Sequence, residues 1–411
     1  MNQPELLPHL FRTEFSKITS VLCKLFGLSH IEIAEDIAGD TFLAAYETWS
    51  YKGIPPNPTA WLYTVAKNKT MTYLKRNQLY SEILSDQKKL AVSEITETEI
   101  DLSPENITDS QLQMLFTVCH PSISRESQIG LALRILCGFG IDEIATALLS
   151  NKETITKRLH RAKEKLRSEK IQIEFPLQSE ISIRLEIVLT TLYLLFSEGY
   201  YSENQNTVIR EDLCNEARRL THFLVENEAT NKPEVNALYA LMCFHSSRFK
   251  ARKSESGELI LYQDQDETLW DHDLISSGAF YLHKASQGNQ LSNYHLEAGI
   301  AYWHTIKTDS REKWENILQL YNRLLQIQYS PIAALNRTYA LSKANGKQEA
   351  IREAEKLKLE SNHFYFVLLG ELYTGIDNSL ARTNFEKGFS LAKTQTDKKT
   401  IQLKIDSLNN Q

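Results

Sequence analysis

Residues 139–170, FGIDEIATALLSNKETITKRLHRAKEKLRSEK, contain the sequence pattern that most directly predicts the fold. The first part predicts a short helix, and the residues spaced for burial in it are Ile144, Ala145 and Leu148. A second helix follows a polar turn at residues 150–152, and its apolar stripe, at steps of four, three and four, is Ile155, Leu159, Ala162 and Leu166. Two short helices around a tight polar turn predict a helix-turn-helix.

The second helix concentrates positive charge on its other face. Residues 151–170 hold eight basic and three acidic side chains, a net charge of +5, although the whole chain has a formal net charge of −6. A solvated surface helix would also account for this charge alone. A basic helix with a short polar start also suits a DNA major groove, and the side chains expected there are Thr154, Thr156, Lys157 and Arg158.

Length and composition favour a helical protein of several domains. The 411 residues allow roughly two to four domains, and the scarcity of glycine and proline favours helices. No apolar run is long enough for a transmembrane span, and the N-terminus lacks the basic start and apolar stretch of a signal peptide. The five cysteines are scattered without a C-x-x-C pair, as expected for reduced thiols in a cytosolic protein.

Residues 154–167, TITKRLHRAKEKLR, resemble the recognition helix of region 4 in the sigma factors of bacterial RNA polymerase. In that helix a Thr, a basic pair, Leu, His, Arg and Ala follow in this order. The resemblance implies that the helix reads the −35 promoter element, and the residues it assigns to this contact are Thr154, Thr156, Lys157, Arg158, His160 and Arg161.

The N-terminal segment predicts two amphipathic helices, over residues 5–28 and 31–50. The acids of the second helix are predicted on its outer face near the N-terminal end, and they are Glu32, Glu35, Asp36 and Asp40. The helix macrodipole favours acids at this end, so it would account for them on structural grounds alone.

Residues 51–58, YKGIPPNP, interrupt the helical pattern, because three prolines and a glycine forbid a continuous helix. A third helix is predicted over residues 59–76. Residues 51–80 contain five basic side chains and no acid, with aromatic residues interleaved. Such a surface is suited to holding phosphates and stacking unpaired bases, although Trp61 fits a core position better than a base contact.

This stretch resembles region 2 of the sigma factors from about residue 9 to residue 76. AEDIAGDTFLAAY is similar to the helix that docks on the clamp helices of the polymerase β′ subunit, which implies that role for Asp36, Asp40 and Phe42. PTAWLYTVAKNKTMTYLKR is similar to the helix that grips the melted −10 element, next to a loop that captures a flipped base. The residues expected to contact −10 DNA are Tyr51, Lys52, Asn57, Trp61, Lys67, Asn68 and Lys69.

An acidic linker is predicted over residues 81–108, between a region 2 at 1–80 and a region 4 at 109–172. Residues 77–108 hold seven acids against two lysines, and their periodicity is weak. A solvated linker accounts for this composition, whereas in sigma factors this segment can also mimic nucleic acid in the RNA path. Residues 109–138 supply two more helices divided at Pro121, so the −10 and −35 readers are expected as separate basic modules on an acidic tether.

Residues 173–411 predict an all-helical C-terminal domain. The apolar segment 181–201 is interrupted by charges, which favours a buried helix over a membrane helix. Residues 258–275 are rich in Asp, but the Gly and the final Glu of a calcium loop are absent. We therefore expect no metal here and expect Asp264, Asp266, Asp271 and Asp273 to cap helices or to pair with Arg248, Arg252 and Lys253.

The tail contains an internal repeat from about residue 312. Leu335-Asn-x-x-Tyr339 recurs 34 residues later as Leu369-Gly370-x-x-Tyr373. This period and pattern predict tetratricopeptide-like helix pairs, which stack into a concave surface for a protein segment or peptide. Two generic helical hairpins are the alternative.

Further segments extend the resemblance over nearly the whole chain, namely SEGYY, EDLCNEARRL, LYQDQDETLWD and SPIAALNRTYAL. They resemble a subgroup of the extracytoplasmic-function sigma factors with a long C-terminal extension. The resemblance implies an all-α cytoplasmic protein that melts and reads promoter DNA without cofactor or enzymatic activity. Its implied partners are core RNA polymerase, through the β′ clamp helices and the β flap, and promoter DNA, and the extension is expected to regulate it.

Two other functions are open to the sequence. A helix-turn-helix transcription regulator could bind duplex operators without acting as a sigma subunit, but it would leave the basic and aromatic helix at 59–76 unexplained. An enzyme in the C-terminal half is disfavoured, because no spacing there resembles H-E-x-x-H, a nucleophile elbow or a P-loop.

Overall fold

The computed structural model describes residues 3–84, 100–148, 150–200, 211–252, 260 and 262–408. These residues form eighteen α-helices and no β-strand, which confirms the predicted all-α class. The chain divides into two compact units, Met1–Leu195 and Phe196–Gln411, and each is described by itself.

Three helices begin the first unit, and they are α1 (Gln3–Phe26), α2 (Ile31–Lys52) and α3 (Pro58–Leu84). Gly53 ends α2 with a φ of 80°, which glycine adopts without strain, and its amide donates to the Trp49 carbonyl over 3.1 Å. Asn57 begins α3, because its side chain accepts a hydrogen bond from the Ala60 amide over 3.0 Å. The predicted break is present but shorter than expected, since both helices extend into it.

The rest of the first unit contains α4 (Pro104–Val118), α5 (Arg125–Leu131), a π-helical turn (Ala132–Leu136), α6 (Ile141–Ala147) and α7 (Lys152–Ser168). Side chains of Ser103, Ser124 and Asn151 cap the helices that follow them by accepting backbone hydrogen bonds. The predicted linker is shortened at both ends by α3 and α4, and its central residues 85–99 lie outside the described residues.

The pair α6 and α7 forms as the apolar spacing predicts. Ile144 and Ala145 are buried in α6, and the α7 stripe of Ile155, Leu159, Ala162 and Leu166 is buried throughout. Asn151, in the turn between the helices, accepts a hydrogen bond from the Thr154 amide over 2.8 Å and so fixes the start of α7.

One core joins the first three helices to α4. Lys24 Nζ in α1 lies 2.5 Å from Asp109 Oδ2 in α4, and Gln111 donates to the Ser16 hydroxyl over 3.4 Å. Cys23 is fully buried in this core, and burial raises the pKa of its thiol, which keeps it protonated and unreactive. Both parts belong to one compact unit in this structure, Met1–Leu195.

The second unit begins within α8 (Ile181–Tyr200) and continues with α9 (Glu211–Glu226), α10 (Pro233–Ser246), α11 (His272–Ala285), α12 (Asn293–Trp303) and α13 (Arg311–Ile327). Phe244 of α10 is fully buried, and a Cβ at Gly278 of α11 would lie 2.6 Å from its ring. Only glycine therefore allows these two helices to approach so closely. Within the described residues, no helix has the length and hydrophobicity needed to cross a membrane.

Two successive helix pairs account for the internal repeat. They are α14 (Pro331–Asn345) with α15 (Lys347–Leu357) and α16 (His363–Tyr373) with α17 (Asn378–Leu391), followed by α18 (Gln395–Leu408). Leu335 and Leu369 occupy equivalent positions, and both are buried. A Cβ at Gly370 would meet the Phe385 ring at 2.6 Å, so the small residue lets α16 and α17 pack closely.

The acids around residues 264–273 cap helices, as expected for two of them. Asp266 accepts a hydrogen bond from the Thr268 amide, and Asp271 accepts one from the Leu274 amide. The expected pairing with Arg248 and Arg252 is wrong within the described residues, where neither forms an ion pair, and Lys253 lies outside them. In the same part of the chain, no three His, Cys, Asp or Glu side chains are grouped to hold a metal ion.

Candidate nucleic-acid interface

The first three turns of α7 present one solvent-facing surface, which we call the α7 outer face and which consists of Thr154, Thr156, Lys157, Arg158, His160 and Arg161. Arg158 is half-buried and the other five are exposed. Lys157 pairs with Glu153 at 2.5 Å, but both side chains are largely exposed, so the pair adds little stability. The residues predicted to read the −35 element therefore lie together and are accessible.

The later turns of α7 face α2 instead. Lys163 Nζ lies 2.6 Å from Glu35 Oε2 and 3.7 Å from Glu32 Oε1. Arg167 also pairs with Glu32, and its Nε donates to the Leu28 carbonyl over 3.3 Å. Part of the positive charge that the sequence attributes to a DNA-binding face is thus used inside the protein.

Glu35 receives a second cation from the π-helical turn. Arg134 Nε donates to Glu35 Oε1 over 2.8 Å, and its Nη1 donates to the Phe139 carbonyl over 3.1 Å. The side chains of Glu35 and Lys163 are each only 10% exposed, and buried charges are tolerated when they are paired and hydrogen-bonded. We call Glu32, Glu35, Arg134, Lys163 and Arg167 the inner cluster.

The inner cluster also sets the charge state of Glu32. Partial burial alone would raise the pKa of Glu32, but its own backbone amide and the cations Lys163 and Arg167 outweigh burial and lower it. Glu32 is therefore ionised across the neutral range. The predicted outer-face position is wrong for Glu35, and the macrodipole alone does not explain these two acids, because both have cationic partners.

Two further acids of α2 point to solvent, and we call Asp36 and Asp40 the α2 outer acids. Asp40 Oδ2 lies 3.7 Å from Lys69 Nζ, a partly exposed pair between α2 and α3. Phe42 is only 5% exposed, because its ring packs against Phe11 at 5.1 Å and Phe15 at 6.4 Å. Of the three residues assigned to polymerase docking, two are accessible here and Phe42 belongs to the core.

The end of α2, the loop before α3 and α3 itself hold the residues assigned to −10 DNA. Tyr51 is 92% exposed, and Lys52, Asn57 and Asn68 are also exposed. Trp61 is half-buried, and its ring packs edge-on against the buried Trp49 ring with the centroids 5.4 Å apart. Lys67 and Lys69 are also half-buried. Trp61 therefore combines a core contact with surface that solvent reaches.

Sequence reasoning missed the inner cluster, although the helical spacing contained a signal. Lys163 lies four residues after Leu159 and three before Leu166, which places it beside the buried stripe of α7. Glu35 likewise lies four residues after the buried Ile31. A charged residue at an inward position of each of two helices predicts a buried ion pair, but only the fold shows which helices meet.

Comparison with known proteins adds four findings. Residues 10–80 match the family model of sigma-70 region 2, and residues 184–286 match a family of unknown function, DUF6596. The chain is 31% identical over 385 residues to an uncharacterized protein of Rhizobium meliloti (strain 1021), an alignment that covers 92% of this chain and 90% of the relative. No solved structure matches the chain.

Proposed function

We propose that this chain, which belongs to the sigma-70 family, acts as a sigma factor that brings core RNA polymerase to specific promoters and starts transcription there. The observation that carries the proposal is the region 2 match at residues 10–80, in a unit that also exposes a basic helix face. Proteins of this family work without catalysis of their own, and we propose that this chain also contributes none. Its place of action would be the cytoplasm, where polymerase and DNA meet.

Polymerase docking is assigned to the α2 outer acids. Asp36 and Asp40 are exposed and lie on the same helix, so a basic surface of the polymerase could pair with both. The expected partner surface is the clamp helices of the β′ subunit. Because Phe42 is buried against Phe11 and Phe15, we leave it out of this contact.

Recognition of the −10 element is assigned to the loop before α3 and to α3 itself. Tyr51 offers a fully accessible ring on which an unpaired base can stack. Lys52, Lys67 and Lys69 can neutralise phosphates of the melted strand, and the amides of Asn57 and Asn68 can hydrogen-bond to base edges. Trp61 would stack only through the part of its ring that solvent reaches.

Recognition of the −35 element is assigned to the α7 outer face. The face begins at the helix N-terminus, where the macrodipole favours phosphate. Arg158 and Arg161 have the geometry for bidentate contacts to guanine or phosphate, and Thr154, Thr156, Lys157 and His160 extend the contact. Later turns do not take part in this arrangement, because Lys163 and Arg167 are bound to α2.

At a finer level, we propose a member of the extracytoplasmic-function group with regions 2 and 4 only, in which region 4 also contacts the β flap. The second unit would regulate it. The helix pairs α14–α15 and α16–α17 support a tetratricopeptide-like assignment, because Leu335 and Leu369, which are 34 residues apart, are buried in both pairs. Such a surface would bind a protein segment or peptide.

The test separates a sigma factor from a regulator that binds duplex operators. DNA is selected from a random duplex pool with the chain alone, core polymerase alone, and both together. We expect specific sequences, with two conserved elements, to be enriched only when both are present. Enrichment of a specific sequence by the chain alone, unchanged by polymerase, would show that it is an operator-binding regulator.

A further inference from the structure

A second group of buried charges lies in the second unit, around Tyr262. Lys313 Nζ donates to the Tyr262 hydroxyl over 2.9 Å and lies 5.0 Å from its ring centroid. The Arg248 guanidinium lies 5.5 Å from the same centroid. The rings of His304 and Trp270 lie 5.1 Å and 6.4 Å from it. Four segments of the unit thus bring two cations and three aromatic rings together.

Both cations are withdrawn from solvent. Lys313 is only 1% exposed and Arg248 only 6%. In contrast to Lys163 in the first unit, neither has a carboxylate oxygen within 4.0 Å among the described residues. Removing a cation from water without a negative partner is costly, so within the described part of the chain the charges of Lys313 and Arg248 are not compensated.

Asp309, whose charge acts on Lys313, is engaged by other side chains. Asp309 accepts a hydrogen bond from Trp314 Nε1, and its Oδ2 lies 3.1 Å from Lys343 Nζ. Its charge is therefore shared with Lys343, which faces solvent more than Lys313 does. Lys313 Nζ also donates a hydrogen bond to the Ile306 carbonyl over 2.5 Å.

Buried polar atoms around Tyr262 lack hydrogen-bond partners. Within the described residues these atoms include Arg248 Nε, Gln265 Oε1, Trp270 Nε1 and His304 Nδ1. Ordered water could satisfy the neutral atoms, but water does not neutralise the charges of Arg248 and Lys313. Three of these atoms can donate a hydrogen bond, namely Arg248 Nε, Trp270 Nε1 and His304 Nδ1. The residues around Tyr262 are therefore suited to an oxyanion rather than to a cation.

The protonation states of His304 and Lys313 also favour an anionic ligand. Burial, then the positive charges of Arg248 and Lys313, lower the pKa of His304 to about 3, so its imidazole is neutral. Burial lowers the pKa of Lys313 to about 8, against the attraction of Asp309, so its ammonium remains largely charged at neutral pH.

We propose that Arg248, Lys313 and the residues around Tyr262 form a binding site for the oxyanion of a small organic acid, a carboxylate or a phosphate. Arg248 provides the planar fork that such a group accepts, Lys313 the second charge, and the rings of Tyr262 and Trp270 an apolar wall for the rest of the molecule. This site goes beyond promoter recognition, because it gives the second unit a small-molecule ligand.

The test is calorimetric titration of the full-length protein in a chloride buffer with two probes, sodium benzoate and inorganic phosphate. We expect one equivalent of one probe to bind saturably at concentrations up to about 10 mM, and the probe that binds identifies the oxyanion class. Arg248→Met should weaken binding by about tenfold or more. Arg323→Met, which removes an exposed arginine of α13, should leave it unchanged.

Two results would overturn the proposal. One is the absence of saturable binding of either probe by the wild-type protein, and the other is unchanged binding by Arg248→Met. Without a probe, Arg248→Met should keep at least the wild-type thermal midpoint, because an apolar chain replaces a buried charge that has no carboxylate partner among the described residues. If that variant fails to fold, Lys313→Met provides the second test, and unchanged affinity there counts equally against the site.

Discussion

Helices α2 and α7 each carry two sets of charges, one directed at the other helix and one directed at solvent. In the inner cluster, Glu35 and Lys163 are 2.6 Å apart and each only 10% exposed. The α2 outer acids and the basic residues of the α7 outer face have the same signs of charge as the inner residues of their helices, but they lie at the surface. The difference separates charges that hold the fold together from charges that are free for partners.

The inner charges have a structural reason for being where they are, and the outer charges do not. A buried carboxylate with two cationic partners is strongly coupled to folding, whereas exposed pairs such as Asp40 with Lys69 contribute little. Substitutions in the inner cluster should therefore change stability, and substitutions outside it should change partner binding. Four predictions follow this division from the largest effect to the smallest.

Glu35→Gln should produce the largest effect, a loss of about 3 kcal/mol in the stability of the first unit. The amide cannot neutralise the half-buried Arg134 and the buried Lys163, whose nitrogens lie 2.8 Å and 2.6 Å from the Glu35 carboxylate in the wild type. Hydrogen exchange of the α2 and α7 amides in a urea series measures the change within this unit. The control Glu153→Gln, at an exposed pair on α7, should stay within about 0.5 kcal/mol of the wild type. Equal stabilities for the two variants would contradict the division.

Arg158→Ala combined with Arg161→Ala should weaken polymerase-dependent promoter binding by roughly 10- to 100-fold, since each arginine contributes a base or phosphate contact. If both arginines contact phosphates, the slope of the logarithm of the binding constant against the logarithm of the salt concentration should become shallower by about 2. The matched control is Lys165→Ala, which removes an exposed lysine further along α7. If the double variant binds promoters like the control, the α7 outer face does not read DNA.

Asp40→Lys should reduce capture of core polymerase by about tenfold, because it reverses the charge of one α2 outer acid. Stability should change little, since the pair with Lys69 is long and partly exposed. Co-elution with core polymerase measures the effect, and Glu312→Lys in the second unit is the charge-matched control. Undiminished capture by Asp40→Lys would remove α2 from the docking surface.

The smallest effect concerns pH. Because the folded-state pKa of Glu32 is lowered below 4.5, the unfolded state binds a proton first as the pH falls. Its contribution is therefore fully present above about pH 4.5 and is lost as the pH falls through the folded-state value. Glu32→Gln should flatten the acid side of the stability curve of the first unit. An identical curve for wild type and variant would show that Lys163 and Arg167 do not act through Glu32.

Much of the fold could be predicted from local patterns. The apolar stripe from Ile155 to Leu166 predicts α7, and the prolines before Thr59 predict the break between α2 and α3. Both signals are local, because helical periodicity and the backbone restriction of proline extend over only a few residues. The packing of α1 on α4 and the ion pairs between α2 and α7 could not be predicted, since these contacts join residues far apart in the chain. For the same reason the sequence showed a basic helix but not that Lys163 and Arg167 are bound by Glu32 and Glu35.

The cations of the second unit illustrate the same limit. Lys313 lies four residues before the buried Ile317, so its inward position was readable from the spacing of α13. Expecting Arg248 to pair with neighbouring aspartates was reasonable from sequence alone, but those aspartates cap helices instead. Only the fold shows that Arg248 and Lys313 meet at Tyr262, where neither forms an ion pair with a carboxylate of the described residues.

The most direct measurement of the central claim is transcription by purified core RNA polymerase on a pool of random promoter sequences, with and without the full-length chain. We expect the chain to cause initiation at a defined subset of templates that share a −10 and a −35 element, and we expect Arg158→Ala with Arg161→Ala to reduce that initiation. Initiation no greater than with core polymerase alone, by a folded chain that still binds specific duplex DNA, would contradict the sigma-factor assignment.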